Sequence, residues 1–138
     1  MRELTATLRA LADDTRLQML TLLTRRGELC VCDFQRALAV SQSSASRHLR
    51  HLLNARLVQA RREGTWIHYQ ISTQLTPDRK AIIESLQSSE AFRSLDPLVD
   101  ERLDDWLAAK DRESIAAEAS CACRVENPAP CGPVALQR

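Results

Sequence analysis

The sequence predicts a mainly α-helical fold with one small β-hairpin, and three observations support this. Only 3 Gly and 5 Pro occur among 138 residues, whereas residues that favour helices are common. Apolar residues recur at helical spacing along most of the chain. Residues 57–72 instead contain two alternating runs on either side of Glu63 and Gly64, which suit a tight turn. The length fits one domain with a tail.

The first half of the chain predicts four helices. The first covers residues 2–12, and the second begins at a cap formed by Asp13 or Asp14, since a carboxylate there accepts the free amide hydrogens of the first turn. Gly27 suits the left-handed position that ends this helix. A third helix is predicted over 28–39, and a fourth runs from a cap at Ser41 to about residue 54. Two helices joined by so short a turn are typical of a helix-turn-helix.

The fourth predicted helix has one apolar and one polar face. A guanidinium on the polar face can fork onto guanine O6 and N7, and Ser or Gln can bond base edges or phosphates. No Asp or Glu occurs from residue 42 to residue 62, which an ordinary solvated helix has no reason to avoid. The pattern therefore favours a DNA-reading helix over a plain surface helix. Its outward residues are Ser43, Arg47, Arg50 and Asn54.

The hairpin predicted from residues 57–62 and 65–72 completes a winged helix-turn-helix. Arg61 and Arg62 lie near its tip, where they would contact phosphates or reach into the minor groove. Trp66 and Tyr69 are interpreted as packing residues, because a strand of this kind buries one face.

The C-terminal half predicts further helices after Thr76-Pro77 and after Asp96-Pro97, because Pro is favoured in the first turn. Their apolar stripes exceed what one small domain needs to bury. Together with Leu4, Leu8 and Leu11 they are interpreted as a dimer surface. We expect residues 1–112 to form the DNA-binding, sensing and dimerisation domain and residues 113–138 to form a flexible, Cys-containing tail. The stripe residues are Ile82, Ile83, Leu86, Leu98, Val99, Leu103, Trp106 and Leu107.

Charge and hydropathy limit the remaining classes. The net charge is only +1, but the middle of the chain is basic and the C-terminal part is acidic. No apolar run of 18 residues exists, so a membrane span is not expected. The N-terminus has no apolar signal core, so a cytoplasmic location is expected. In that reducing compartment the five Cys are interpreted as metal or redox thiols rather than as a disulfide framework.

Cys30 and Cys32 are the main candidates for chemistry. Thiolates select soft ions. Residues i and i+2 of a regular helix point about 200° apart, so this pair would chelate one ion only from an extended or distorted first turn. Two buried structural cysteines are the plainer alternative. Cys121, Cys123 and Cys131 would either add a ligand to this pair, form a separate site, or have no role.

Four segments in order resemble the ArsR/SmtB family of winged-helix metalloregulators, and in particular its arsenic-responsive branch. Residues 10–20 resemble the entry helix pair, Glu-Leu-Cys-Val-Cys-Asp at 28–33 is similar to the metal-binding signature, 41–49 resembles the recognition helix and 61–69 resembles the wing. The resemblance implies a homodimeric repressor that binds an inverted repeat of operator DNA without a cofactor and leaves it when metal binds. By position, it implies DNA contacts from Gln42, Ser43, Ser46 and Arg47.

The chain departs from each branch of this family at one point. Gln35 stands where the arsenic branch commonly has a third Cys, and As(III) prefers three soft ligands. The cadmium and lead branch usually adds Cys near the N-terminus, but none precedes Cys30. The zinc branch uses His on the last helices, but none follows His68.

The sequence therefore predicts a repressor that As(III) or Sb(III) releases from DNA by binding Cys30 and Cys32. A repressor of the same family that responds to Cd(II) or Pb(II), and a DNA-binding regulator that responds to thiol redox state, remain as alternatives. A thiol enzyme is not favoured, because such an enzyme needs a nucleophilic Cys in an anion-binding loop, and no Cys here is followed by a Gly- or Arg-rich loop of that kind.

Overall fold

The computed structural model describes residues 1–64 and 66–117, and only the backbone of residues 113–117. Its elements confirm the predicted fold class, with helices surrounding a core that one face of a two-stranded sheet helps to close. The helices are α1 (Arg2–Leu11), α2 (Asp14–Arg26), α3 (Val31–Leu38), α4 (Gln42–Asn54), α5 (Pro77–Ser88), α6 (Glu90–Arg93) and α7 (Pro97–Ala117), and the strands are β1 (Val58–Glu63) and β2 (Trp66–Ile71).

The predicted capping residues explain where α2 and α4 begin and where α2 ends. The Asp13 carboxylate accepts a hydrogen bond of 2.9 Å from the backbone N–H of Arg16 at the start of α2. The Ser41 hydroxyl accepts one of 3.2 Å from the backbone N–H of Ser44 at the start of α4. Gly27 ends α2 with a φ of +86°, which a residue with a side chain rarely adopts. Local sequence alone therefore defines these two helices.

The predicted start of α3 was wrong by three residues. The helix begins at Val31 rather than at residue 28, and Cys30 is its N-cap, with extended dihedral angles of −95° and 172°. Leu29 is held in an isolated antiparallel bridge to Tyr69, through N–H to O=C bonds of 3.0 and 2.8 Å. These bonds to a strand 40 residues away hold the segment extended, and they override its local helical spacing.

The hairpin is antiparallel, with Ala60 opposite Tyr69 and Glu63 opposite Trp66. Tyr69 is fully buried and Ile67 nearly so, which confirms that β2 packs one face on the core. Burial raises the pKa of Tyr69, and the neighbouring Cys30 raises it further. Tyr69 is therefore a neutral packing residue. A helix-turn-helix followed by this hairpin confirms the predicted winged-helix architecture.

The C-terminal stripes do not form one exposed dimer surface. Ile83, Val99 and Leu103 are 4, 5 and 0% exposed, because α7 packs on α3 and covers the core of the protomer itself. Leu8 and Leu98 remain large exposed apolar residues, at 52 and 46%. The short helix α6 was not predicted. Helix α7 continues past the predicted boundary at 112, and the predicted tail beyond it lies outside the described residues.

Candidate metal centre and nucleic-acid interface

The position of Cys30 follows from a hydrogen bond to its own backbone. Its N–H donates to the Asp33 carboxylate at 2.8 Å, the reciprocal half of a capping box. Cys30 is fully buried and Cys32, in the first turn of α3, is 5% exposed. Because Cys30 precedes the helix, the opposed directions expected of two residues within one regular helix do not apply to this pair. The extended backbone at Cys30 is the arrangement from which this pair was expected to chelate one ion.

Asp33 gathers groups from a distant helix around the cysteine pair. The Trp106 indole N–H and the Lys110 ammonium of α7 donate to its Oδ1 atom at 2.8 and 2.9 Å. Lys110 Nζ also lies 3.4 Å from Cys30 Sγ. Both cysteines and Lys110 have bonding partners beyond these. The site therefore joins the start of α3 to α7, and Cys30 contacts both Asp33 and Lys110 in it.

Sequence reasoning missed Asp33, Trp106 and Lys110 as parts of this site. An acid three residues after a candidate N-cap residue is the sequence pattern of a capping box, so the capping role of Asp33 could have been predicted. The four-residue spacing of Trp106 and Lys110 puts them on one face of α7. Nothing in the sequence says that this face meets α3.

In the reduced protein the donor chemistry of the pair fits a soft trivalent metalloid in kind, because both donors are then thiol sulfurs and both are shielded from bulk water. The pair supplies only two of the three soft ligands that As(III) prefers. Within residues 1–64 and 66–112, no group of three or more His, Cys, Asp or Glu side chains is arranged to hold a metal ion. The Asp33 carboxylate is already occupied by three donors. The other candidate ligands, Cys121, Cys123 and Cys131, lie outside the described residues.

The outer face of α4 is basic and open to solvent. Ser43, Arg47 and Arg50 are exposed. Gln42 and Ser46 are partly buried, and the Gln42 amide donates to the Ser46 hydroxyl at 2.9 Å. Across the described part of the chain, neither Arg47 nor Arg50 pairs with a carboxylate. Both guanidinium groups are therefore available to an anionic partner.

The inner side of α4 faces the start of α2 at His48. Its Nδ1 atom lies 3.6 Å from Asp13 Oδ1, slightly too far for a hydrogen bond. Burial lowers the pKa of His48, and the nearby Asp13 opposes that shift only in part. The imidazole is therefore mainly neutral at pH 7 and packs as an uncharged group between the two helices.

The two arginines of the wing differ in their surroundings. Arg61 forks onto Glu28, with Nη2–Oε2 and Nε–Oε1 distances of 2.6 and 3.2 Å, and its Nη1 lies 2.9 Å from Glu63 Oε2. The Arg61 guanidinium holds the pKa of Glu28 below its usual value. Arg62 makes only a long 3.5 Å contact to the Gly64 carbonyl in the described region. Glu28, two residues before Cys30, thus holds one wing arginine and leaves the other open.

A family model described as "Bacterial regulatory protein, arsR family" matches residues 13–60, which cover α2, α3, α4 and the start of β1. The chain is also 36% identical over 85 residues to an arsenical resistance operon repressor of Staphylococcus aureus, and it covers 78% of that protein. The chain belongs to the ArsR family. The resemblance noted in the sequence is thereby confirmed at the level of the family.

Other ArsR-family relatives match a shorter region. The chain is 48% identical over 63 residues to the arsenic resistance transcriptional regulator ArsR1 of Pseudomonas putida and 41% identical over 63 residues to a cadmium resistance regulatory protein, a CadC homolog, of Staphylococcus aureus. These matches cover 46% of this chain in each case, and 49 and 52% of the two relatives. The chain thus spans about half the length of these two proteins.

Solved structures agree with the winged-helix fold. Reduced HlyU from Vibrio cholerae superposes with a TM-score of 0.53 at 35% identity, over 62% of this chain and 86% of that one. The transcriptional repressor BigR from Xylella fastidiosa gives 0.57 at 20% identity, over 68 and 89%, and supports the fold alone. No helix in the described part of this chain is long and apolar enough to cross a membrane.

The exposed face of α4 makes Arg47 the first DNA contact to test. Replacing Arg47 with Ala should weaken binding to an operator duplex, selected from random DNA by the metal-free protein, by about 1–3 kcal/mol and relax base preference. Replacing Arg62 with Ala should weaken binding to all sequences alike and reduce the salt slope by about 1. Fluorescence anisotropy at several salt concentrations measures both effects.

Arg102, an exposed residue of α7, provides the control. Its replacement by Ala removes the same charge from a helix that is not proposed to contact DNA and should change neither affinity nor base preference. If the Arg47 variant binds the operator as tightly as the Arg102 variant does, α4 is not the reading helix.

Proposed function

We propose that this ArsR-family chain is a cytoplasmic transcriptional repressor that binds operator DNA as a homodimer and leaves it when As(III) or Sb(III) binds Cys30 and Cys32. The observation that carries the proposal is the buried sulfur pair at the junction of α3, α7 and the wing. Relatives named for arsenic resistance support a metalloid as the inducer. No cofactor is proposed for DNA binding, and no catalytic role is proposed.

The proposed DNA contacts divide by element. From α4, Ser43 and Arg47 would read base edges, with Gln42, Ser46 and Arg50 supporting them or contacting phosphates. From the wing, Arg62 would contact phosphate directly, whereas Arg61 would have to exchange Glu28 and Glu63 for the DNA. The exposure of the α4 arginines and the lack of nearby acids support this assignment.

The mechanism begins with the two cysteines. A metalloid supplies bonds that hold the two sulfurs at a fixed separation. Cys30 then shifts relative to the first turn of α3, and its backbone N–H moves against the Asp33 carboxylate that caps the helix. Since α3 packs on α4 and only residues 39–41 separate them, a tilt of α3 turns the reading helix in the groove. Occupancy shifts the equilibrium by the difference in metalloid affinity between the two forms.

A dimer is proposed from the exposed apolar residues that the protomer leaves uncovered. Leu8 on α1 and Leu98 on α7 are half exposed, and Leu4 is partly exposed. An inverted repeat is recognised by a two-fold symmetric protein. This smaller surface replaces the longer stripe expected from the sequence.

The third sulfur is proposed to come from the tail. As(III) gains more from a third thiolate than from the amide of Gln35. A tail that is flexible, as the sequence predicts, would reach the pair at modest cost, because the cost of loop closure grows only with the logarithm of length. Cys121 and Cys123 are favoured over Cys131 because they form a pair. They would either join Cys30 and Cys32 or form their own site.

Cd(II) or Pb(II) remains the second candidate inducer, because one relative is named for cadmium resistance. A thiol-redox switch is a third, and the relevant observation is that HlyU of Vibrio cholerae was solved in a form named as reduced. Operator release titrated with As(III), Sb(III), Cd(II), Pb(II) and Zn(II) in the reduced protein separates the inducers. Release by oxidant without any metal would favour the redox switch.

Replacement of Cys30 or Cys32 by Ser tests the proposed sensor. Ser is nearly isosteric, so the reduced variants should keep the fold and bind the operator, yet lose most of the As(III)-triggered release. Circular dichroism, operator anisotropy and arsenite titration together measure this. If the double Ser variant leaves DNA at the same arsenite concentration as the unmodified protein, the pair is not the sensor.

Truncation after residue 119 tests the tail. X-ray absorption of the arsenic-loaded, reduced protein counts sulfur neighbours, and mass spectrometry counts arsenic per subunit. A joint site predicts a drop from three sulfurs to two on truncation, and a separate site predicts the loss of one whole arsenic per subunit. Unchanged stoichiometry, affinity and three sulfurs in the truncated protein would exclude any tail ligand.

A further inference from the structure

The segment from Glu28 to Cys30 lies beside the wing like a short third strand. Leu29 exchanges two backbone hydrogen bonds with Tyr69 of β2, at 3.0 and 2.8 Å. Leu29 is 2% exposed and Tyr69 is fully buried, so this bridge sits in the packed interior. The sensor segment and the hairpin are therefore one continuous backbone-bonded unit.

A second connection lies at the solvent side of the same unit. Glu28 holds the Arg61 guanidinium through two hydrogen bonds of 2.6 and 3.2 Å, the planar fork-to-carboxylate geometry that gives Arg pairs their directionality. In the strand register, Arg61 lies opposite His68, which is the residue directly before Tyr69. The fork thus attaches the outer half of the hairpin to the residue directly before Leu29.

Cys30 is placed so that its movement reaches both connections. Only Leu29 separates Cys30 from Glu28. Because an extended backbone is already close to its maximum length, a displacement of Cys30 also displaces Glu28. The other side of Cys30 is held by Asp33, at a 2.8 Å hydrogen bond. A change in the position of the Cys30 sulfur is therefore passed to the bridge with β2 and to the fork on Arg61.

We propose that the Glu28–Arg61 ion pair is a positioning link through which occupancy of the Cys30–Cys32 pair displaces the wing from DNA. The inference rests on the proposed function and adds a route parallel to the one from α3 to α4. The interaction of Glu28 with Arg61 must differ between the two states for the link to carry coupling. Neither residue is a metalloid ligand, and Glu28 is not a DNA contact.

The hairpin offers a matched control for this pair. Glu63 also contacts Arg61, at 2.9 Å, but it belongs to β1 and has no bond to the sensor segment among the contacts of the described residues. Glu28→Gln and Glu63→Gln each take one negative charge from Arg61. Only the first weakens the connection to the sensor segment.

The measured quantity is the ratio of operator affinity without and with saturating arsenite, in the reduced full-length protein. The operator duplex selected by the metal-free protein is the probe. An exposed pair of this kind supports a change of about two- to five-fold. The affinity ratio should fall by that factor in Glu28→Gln and in Arg61→Gln. The variant that carries both substitutions should show the same fall as each single variant. The affinity ratio should not change in Glu63→Gln.

Hydrogen exchange supplies a readout that does not depend on DNA. In the unmodified protein, arsenite should change the exchange rates of backbone amides in Trp66–Ile71, and Glu28→Gln should reduce that change. Arsenic stoichiometry should be the same in both. An unchanged affinity ratio and unchanged exchange response in Glu28→Gln would overturn the link. An equal fall of the affinity ratio in Glu63→Gln would also overturn the link, since the effect would then come from the loss of any negative charge beside Arg61.

Failure of the proposed function gives a different pattern. If the unmodified protein binds arsenite but keeps the same operator affinity, arsenite is not the inducer and the link falls with that function. If the unmodified protein is released by arsenite and Glu28→Gln is released just as well, only the link is wrong.

Discussion

The structure depends most on the carboxylate of Asp33. It is nearly buried, and a buried charge is tolerated only when it is paired and hydrogen-bonded. Here it caps α3 by accepting from Cys30, and it holds α7 by accepting from Trp106 and Lys110. One group thus caps the first turn of α3, holds the backbone of the residue that carries the first sulfur, and attaches the C-terminal helix.

The same arrangement explains how a small ligand could affect DNA binding over a distance. Cys30 is the N-cap of α3 and directly follows Leu29, which bridges to Tyr69, so one residue adjoins both α3, which packs on the proposed reading helix, and the bridge to the wing. The interior at this point is packed, with Val31 and Phe34 fully buried. Close-packed interiors transmit displacement rather than absorb it. Coupling then requires no motion larger than the shift of one segment.

Local signals in the sequence were sufficient for much of the fold. The caps at Asp13 and Ser41 and the positive φ at Gly27 are properties of single residues, and both ends of α2 and the start of α4 were correctly predicted from them. The alternation in residues 57–72 was sufficient for the hairpin. Arg47 and Arg50 were placed on the exposed face of α4 because a helix has one fixed period.

The errors arose where distant segments meet. The start of α3 depends on a bridge between Leu29 and Tyr69, which helical spacing within residues 28–39 cannot reveal. The stripe of α7 was interpreted as a dimer surface because its partner, α3, was not known. Lys110 was not identified as part of the site for the same reason. A third sulfur ligand stays a prediction, since the cysteines proposed to supply it lie beyond the described residues.

The central claim is that the Cys30–Cys32 pair and the DNA-reading surface are thermodynamically coupled. Coupling between two binding sites is reciprocal, so it can be measured from the metalloid side. The most direct measurement is the arsenite affinity of the reduced protein, free and saturated with operator duplex. The account predicts that operator weakens arsenite binding by the same factor by which arsenite weakens operator binding, roughly ten-fold or more. An arsenite affinity that operator leaves unchanged would contradict it.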